Sequence, residues 1–407
     1  MSVGIFNSNL LTQDLARKSF AAMITRLMPN GQAPLFGLTS MLTSDTALQT
    51  EHGFFTKTML FPQLTLSAAG QAAADTIFTV TSTTNVLSGM LMRADATGEN
   101  ILILNVLSPT SVAVQRAVGS TAAAAITAST NLYQVGSAFE ESSLRPNALA
   151  INPVRVTNLT QIFRNTWAIS DSVRATKMIA GDTNVAENKQ DCAGFHAADI
   201  EKGIFFGQKF AGTKNGQPFR TMDGIYSIVG NLAYYPPSYS QANITTAGGT
   251  TNYTQFEAAF DPAFNQATDP KVANERVMFV GGTAKKVINN IGRLNGTYYM
   301  VDGQTSWGLQ FSTIKIARGT FRLIEHPLFN SNASWSKLAI AIDLSSFNLA
   351  YLGDRKTQNK EFNLEGDDAA DNGVDAVGGT LTTELTTVIK NPPANAIMSN
   401  MTAGAAG

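Results

Sequence analysis

A single cysteine, Cys192, stands in 407 residues, which excludes an intrachain disulfide framework and a cysteine-rich zinc centre. Charge is scarce too. Asp, Glu, Lys and Arg make up 14% of the chain and sum to a net charge of −1, where typical soluble domains carry about 25%. Such a surface suits a chain whose faces are covered by partners better than one that stays a free monomer. No apolar run approaches the roughly 18 residues that span a bilayer. Met1 to Leu11 lacks the basic start and apolar core of a signal peptide, so no membrane is expected and the chain is expected to remain in the cytoplasm where it is made. Paired carboxylates, a nucleophilic triad and a dinucleotide fingerprint are all missing; neither an enzyme activity nor a cofactor is expected.

What is present is organised around Asp182–Gly212, the longest stretch compatible with one helix. Ala186, Ala193, Ala197, Ile200 and Ile204 recur at helical spacing and predict a packed face, while Glu187, Asn188, Lys189, Asp199, Glu201 and Lys202 predict a polar one. About 28 residues would form a rod of roughly 40 Å, a spine. Asp182 or Thr183 can cap its start and Gly212 can end it. Gly194, Gly203 and Gly207 each cost about 1 kcal/mol inside a helix, so something approaches closely there or the helix bends.

Before the spine, Leu10–Met28 is amphipathic, with Leu11, Leu15, Phe20, Met23, Ile24 and Leu27 apolar and Arg17, Lys18 and Arg26 basic; Pro29-Asn30-Gly31 stops it. The basic residues suit either nucleic-acid contact or a solvated face. The rest of residues 1–55 has no sustained period and reads as an extended arm ordered by neighbours. Lys57–Ser137 turns to Ser, Thr, Ala and β-branched residues, predicting strands at 76–81, 90–93, 101–107, 111–116 and 131–135. Ile101–Leu104 is apolar throughout and predicts a strand covered on both faces. This β-module is expected to be too small for a core of its own. The alanine-rich tract 121–130 reads as a loop. Residues 148–170 predict a strand pair leading into the spine. After the spine, 277–280 predicts a buried strand and 284–293 a helix burying Val287, Ile288 and Ile291, the start of an α+β unit. Further strands are expected at 297–301, 308–316, 320–325, 337–342 and 347–352, and Leu381, Leu385 and Val388 return as a last strand before Asn391-Pro392-Pro393.

Three places invite chemistry. Cys192 and His196 lie four apart on one helix face, but a metal site needs further ligands and the plain expectation is a buried thiol beside a hydrogen-bonded imidazole. Gly281-Gly282-Thr283-Ala284-Lys285-Lys286 resembles a phosphate-cradling turn without Walker spacing, and reads as a strand-to-helix turn. Glu365, Asp367, Asp368, Asp371 and Asp375 lack calcium-loop spacing and read as a solvated turn; no metal is expected.

Taken in order, several segments resemble the tailed-phage major capsid proteins of the Hong Kong 97 type fold, in the subgroup typified by the phage SU10 major head protein. They are Val156-Thr157-Asn158-Leu159-Thr160-Gln161-Ile162-Phe163 with Ser170, Asp199-Ile200-Glu201, Gly224-Ile225, Gly319-Thr320-Phe321 with His326-Pro327, and Leu352-Gly353-Asp354. Gly89-Met90-Leu91, Gly98-Glu99 and Val114-Gln115-Arg116 match in the β-module. The resemblance covers about residues 35–400 and implies an α+β fold with five parts. These are an N-terminal arm (1–55), an extended loop with an inserted β-module (56–147), a peripheral domain with the spine (148–223), an axial domain (224–345) and a return to the peripheral domain with the tail (346–407). The implied function is self-assembly of pentamers and hexamers into an icosahedral shell around double-stranded DNA. Implied partners are a portal protein at one vertex, scaffold and decoration proteins, and DNA held by weak inner-surface contact. The place of work would be the virion capsid, with assembly in the host cytoplasm. Arg17, Lys18, Arg26, Ile200 and Ile204 are the residues expected to serve assembly. An encapsulin-like compartment shell is the alternative of the same fold; a β-rich hydrolase or adhesin is the alternative of another class.

Overall fold

A computed structural model describes residues 34–402, apart from 42–43, 58–61, 68–69, 149–152, 177–183, 236–238, 240, 267–268, 270, 272–273, 296–300, 307–308 and 364–375. The chain divides into two compact units, Phe55–Val154 and the remainder on either side of it.

The smaller unit is built from short β-branched segments that alternate in burial. Its antiparallel strands run in the order Gln63–Thr65, Asn131–Ser137, Met90–Ala94, Glu99–Ser108, Ser111–Gln115, Ile77–Thr79. The two outer strands then meet. Leu66 bridges Val80, and Ser67 N–H donates to Thr79 O and Thr81 N–H to Thr65 O, each at 2.9 Å. The sheet therefore closes into a small barrel, which leaves few open backbone groups for unwanted pairing. Contrary to expectation, the barrel has its own core, where Leu64, Leu66, Phe78, Met92, Ile101, Ile103, Val112 and Leu132 are fully buried. Ile101–Leu104 is also not covered on both faces: Ile101 and Ile103 point inward, whereas Leu104 is exposed at a bulge between Ile103 and Asn105. A curved, closed sheet has one inside, so alternate residues must face out.

One end of the barrel is locked by a buried ion pair. Arg116 Nε and Nη2 donate to the two Glu99 oxygens at 2.7 Å, and the guanidinium lies 5.1 Å over the Phe78 ring. Ala117 N–H donates to Glu99 at 2.9 Å. Burial works against ionising Glu99, but these bonds outweigh it and hold its carboxyl below the ordinary range.

In the larger unit, the 14-residue strand Ala376–Ile389 pairs antiparallel with Gln161–Ser170 along one side. On its other side it meets Gln358–Asn363 and then Phe347–Leu352. Asp45–Ala47 adds a parallel strand beside Phe347–Leu352. Residues 154–159 and 161–170 do not pair with each other as expected: Val154–Leu159 pairs with Glu51–Thr56.

The second sheet of this unit has seven strands, in the order Ile244–Thr246, Ala396–Ser399, Ala339–Ile342, Glu275–Val280, Thr320–Glu325, Leu309–Lys315, Val301–Ser306. Its central strands read as unbroken apolar runs because both faces are buried. Val277, Phe279, Ile340, Ile342 and Ile397 enter one core; Met278, Val280, Ala339, Ala341, Ala396 and Met398 enter another, under the helices Tyr253–Phe260 and Gly282–Asn295. The C-terminal stretch is thus shared between the sheets, with Ala376–Ile389 in the first and Ala396–Ser399 in the second. This differs from the single return expected for 346–407. The register irregularity expected within 308–316 falls instead on the partner strand, between Asp302 and Gln304.

The long helix spans Asn184–Phe206, 23 residues, shorter at its C-terminal end than expected. Gly207 stops it, and Gly212 belongs to a strand, Phe210–Lys214. The glycines answer to this chain itself. A Cβ on Gly203 would lie 2.7 Å from the Phe163 ring, and one on Gly207 would lie 2.6 Å from Met222 O. They let the helix press against its own sheet and against the start of the helix Ile225–Gly230.

Candidate assembly surfaces

The inward face of the long helix is rotated from the expected one. Ala193 is exposed, while Cys192, His196, Ile200, Glu201, Ile204 and Phe205 are buried. Ile200 and Ile204 are fully buried in the subunit's own core with Phe163, Met222 and Phe279, so they act on assembly only by holding the fold. Arg17, Lys18 and Arg26 lie outside the described residues.

Glu201, expected on the polar face, is fully buried and joins three elements. Its carboxylate accepts from Leu35 N–H at 2.9 Å and Phe36 N–H at 2.7 Å. These are early amides of the helix Pro34–Met41, which have no partner within that helix. One of the same oxygens lies 2.7 Å from His326 Nε2, and the imidazole stacks on Phe329 at 4.4 Å. Leu35 is fully buried in the main core. The last third of the expected arm is therefore part of the body, because a buried acceptor is waiting for its backbone.

A second polar junction joins the strand Val154–Leu159 to the long C-terminal strand. Asn158 Nδ2 donates to the carbonyls of Asp223 and Thr387 at 3.0 Å, and Asp223 N–H donates to Asn158 Oδ1 at 2.8 Å. The Asp223 carboxylate accepts from Lys209 N–H, Ser227 Oγ and the Tyr234 hydroxyl. Burial and the Asp223 charge push the Tyr234 hydroxyl up to about 12.

Between these junctions a hairpin leaves the body. Phe210–Lys214 pairs with Gln217–Thr221 across Asn215 and Gly216, whose φ values of 54° and 74° suit a tight two-residue turn. Its base is fixed where Arg220 meets buried Glu384 at 3.5 Å, a carboxylate also held by Arg355 at 2.7 Å and Thr160 Oγ1 at 2.9 Å. Its arms are exposed, and Phe210 and Phe219 show 57% and 40% of their surface with ring centres 6.3 Å apart. A Cβ on Gly212 would stand 2.7 Å from the Phe210 ring, so glycine lets that ring lie back across the hairpin. A two-stranded ribbon is marginal alone in water; an anchored ribbon with two bare aromatic rings is suited to packing against another surface. The Asn-Gly step is the signal that could have located it, but the reading of 182–212 as one helix absorbed its first strand.

The chemical candidates resolve into structure. His196 Nδ1 and Nε2 lie 2.7 Å from Asn165 Oδ1 and Thr383 Oγ1, and burial lowers its affinity for a second proton although Asp199 opposes this. Burial pushes the Cys192 thiol up, away from the reactive thiolate. At the Gly281–Lys286 turn, Gly282 N–H donates to Asn330 Oδ1 at 2.7 Å and Lys285 pairs with Glu325 at 3.1 Å. The turn's own neighbours thus fill the positions an anion would use. The acidic residues 365–375 lie outside the described residues. Among the described residues no cluster of His, Cys, Asp or Glu is placed to hold a metal ion, and no helix is long and apolar enough to cross a membrane.

Comparison with known proteins gives a consistent result. The sequence model described as "SU10 major capsid protein" matches residues 5–402. The major capsid protein of Pseudomonas phage PaMx41 is 38% identical over 98% of this chain and 96% of its own length. Among solved structures, the capsid of a native GTA particle is 8% identical over 98% of this chain and 100% of its own, with a TM-score of 0.49. A chain of Mycobacterium phage Cain is 9% identical over 99% of both chains, with a TM-score of 0.46.

Proposed function

This chain belongs to the SU10 major capsid protein family, a family of structural shell proteins, and we propose that its copies assemble as pentamers and hexamers of an icosahedral shell holding packaged double-stranded DNA. The whole-length match to a capsid protein carries the reading. The scarce surface charge and the anchored, apolar-tipped hairpin support it. In this reading the sheet around Ala376–Ile389 with the long helix forms the peripheral domain. The seven-stranded sheet forms the axial domain, and the barrel is the inserted part of an extended loop that meets a neighbouring subunit. A portal protein at one vertex, scaffold and decoration proteins, and loose inner-wall contact of Arg17, Lys18 and Arg26 with DNA complete the proposal. Contacts made by exposed lysine and arginine alone weaken steeply with salt. Assembly is placed in the host cytoplasm.

Negative-stain microscopy of the expressed chain, alone and with phage scaffold, tests the reading. Closed shells or capsomers are expected; a strict monomer under both conditions overturns it. The hairpin gives a finer test. Phe210→Ser with Phe219→Ser removes two exposed rings, so subunit stability should change by no more than about 0.5 kcal/mol. Shell yield at a fixed protein concentration should fall at least tenfold, since interface aromatics commonly contribute 2 kcal/mol or more each. Wild-type shell yield from a normally folded double variant would remove the hairpin from the interface.

A further inference from the structure

The described chain begins at Pro34, and it begins beside an unfilled aromatic groove. Phe206 and Tyr226, both half-buried, stand 6.3 Å apart and separate two depressions of about 420 and 410 Å³. Trp335 stacks on Phe206 at 4.4 Å and walls the first; Leu232 and Ile244 line the second. Neither depression is lined by a carboxylate. The groove is close to where the chain enters. Leu35 N–H is bound by Glu201, and Glu201 by His326. His326 stacks on Phe329, and Phe329 lies 5.7 Å from Phe206.

We propose that the segment Phe20–Met28 of this same chain docks as a helix in the groove around Phe206, Tyr226 and Trp335. Phe20, Met23, Ile24 and Leu27 follow the i, i+3, i+4, i+7 spacing by which an amphipathic helix fills an apolar groove. Lys18 and Arg26 fall away from that face, consistent with a lining that offers no acid to pair them. The link from Met28 to Pro34 is six residues and reaches about 20 Å at most. A surface several side chains from Pro34 is therefore within range, and tethering raises the local concentration of the segment far above that of a second copy. The inference does not rest on the shell reading, and either can fail without the other.

Hydrogen exchange on the full-length, unassembled subunit tests it. In Ile24→Asp, the amides of Ser334–Leu338 and Gly230–Leu232 should exchange about tenfold faster than in the wild type, corresponding to about 1.4 kcal/mol of lost protection. Phe20→Asp, also outside the described core, should do the same. Wild-type protection should be unchanged on tenfold dilution. Equal exchange in wild type and both variants overturns the docking. Protection that falls on dilution overturns it in favour of a second copy's segment, and protection that appears only on adding DNA or another protein overturns it in favour of that occupant.

Discussion

Ile200→Asp is expected to abolish the soluble, folded subunit. Ile200 is fully buried at the inner face of the long helix, in a cluster with Phe163, Ile204 and Phe205. Replacing it removes about 2–3 kcal/mol of apolar burial. It also introduces a carboxylate with no partner, next to Glu201, whose oxygens already serve Leu35, Phe36 and His326. Leaving a buried charge unpaired costs about 3–5 kcal/mol more, and the sum approaches the whole stability of an ordinary domain, about 5–15 kcal/mol. The expected readout is insoluble protein or loss of the cooperative unfolding transition followed by tryptophan fluorescence. Ile200→Val, at a cost of about 1 kcal/mol, should fold and separate this outcome from general intolerance of the site. Soluble Ile200→Asp with wild-type stability would show that the position is not enclosed.

Arg116→Ala should unfold the barrel first. It leaves Glu99, whose side chain is fully buried, without its guanidinium, a loss of about 3–5 kcal/mol for a broken buried pair. All three tryptophans, Trp167, Trp307 and Trp335, lie outside Phe55–Val154. The expected signature is therefore accelerated exchange of the amides in Glu99–Ser108 and Ser111–Gln115 with little change in tryptophan emission. Acid should act in the same direction on the wild type. Glu99 holds its carboxyl below the ordinary range in the folded barrel, so its contribution is fully present above the unfolded value of about 4.3. That contribution is lost as pH falls from there through the folded value. In Arg116→Ala this acid sensitivity should shrink or reverse, because protonation then relieves an unpaired charge. A barrel equally protected in both proteins would mean that the pair contributes no net stability.

How much of this was legible depended on how local the deciding interaction is. The barrel strands, the helix over Gly282–Asn295 and the strand Glu275–Val280 were readable because alternation and helical spacing are properties of neighbouring residues. The end of the long helix was misplaced because Ile204, Phe205 and Phe206 continue an apolar pattern into Phe210, and only the packing of Gly207 against Met222 and Gly224 breaks it. Glu201 was assigned to water on residue type alone. Its acceptors' partners lie 166, 165 and 125 residues away, and no spacing rule links them. The same applies to Glu384, which meets Thr160, Arg220 and Arg355 only after the long strand is laid into its sheet.

By itself the sequence determined a mixed α and β chain with little charge, one unpaired thiol, a strand-rich excursion and a long helix, and the ordered segments that resemble a capsid family. The tertiary structure alone decided which face of the helix is inside, that the excursion closes on a core of its own, and that the C-terminal stretch serves two sheets. It also turned the end of the expected spine into an exposed aromatic hairpin. The division has a physical cause: periodicity reports only that a residue has a buried side, whereas the identity of what buries it is set by contacts between distant segments, whose free energy exists only once the chain has closed around them.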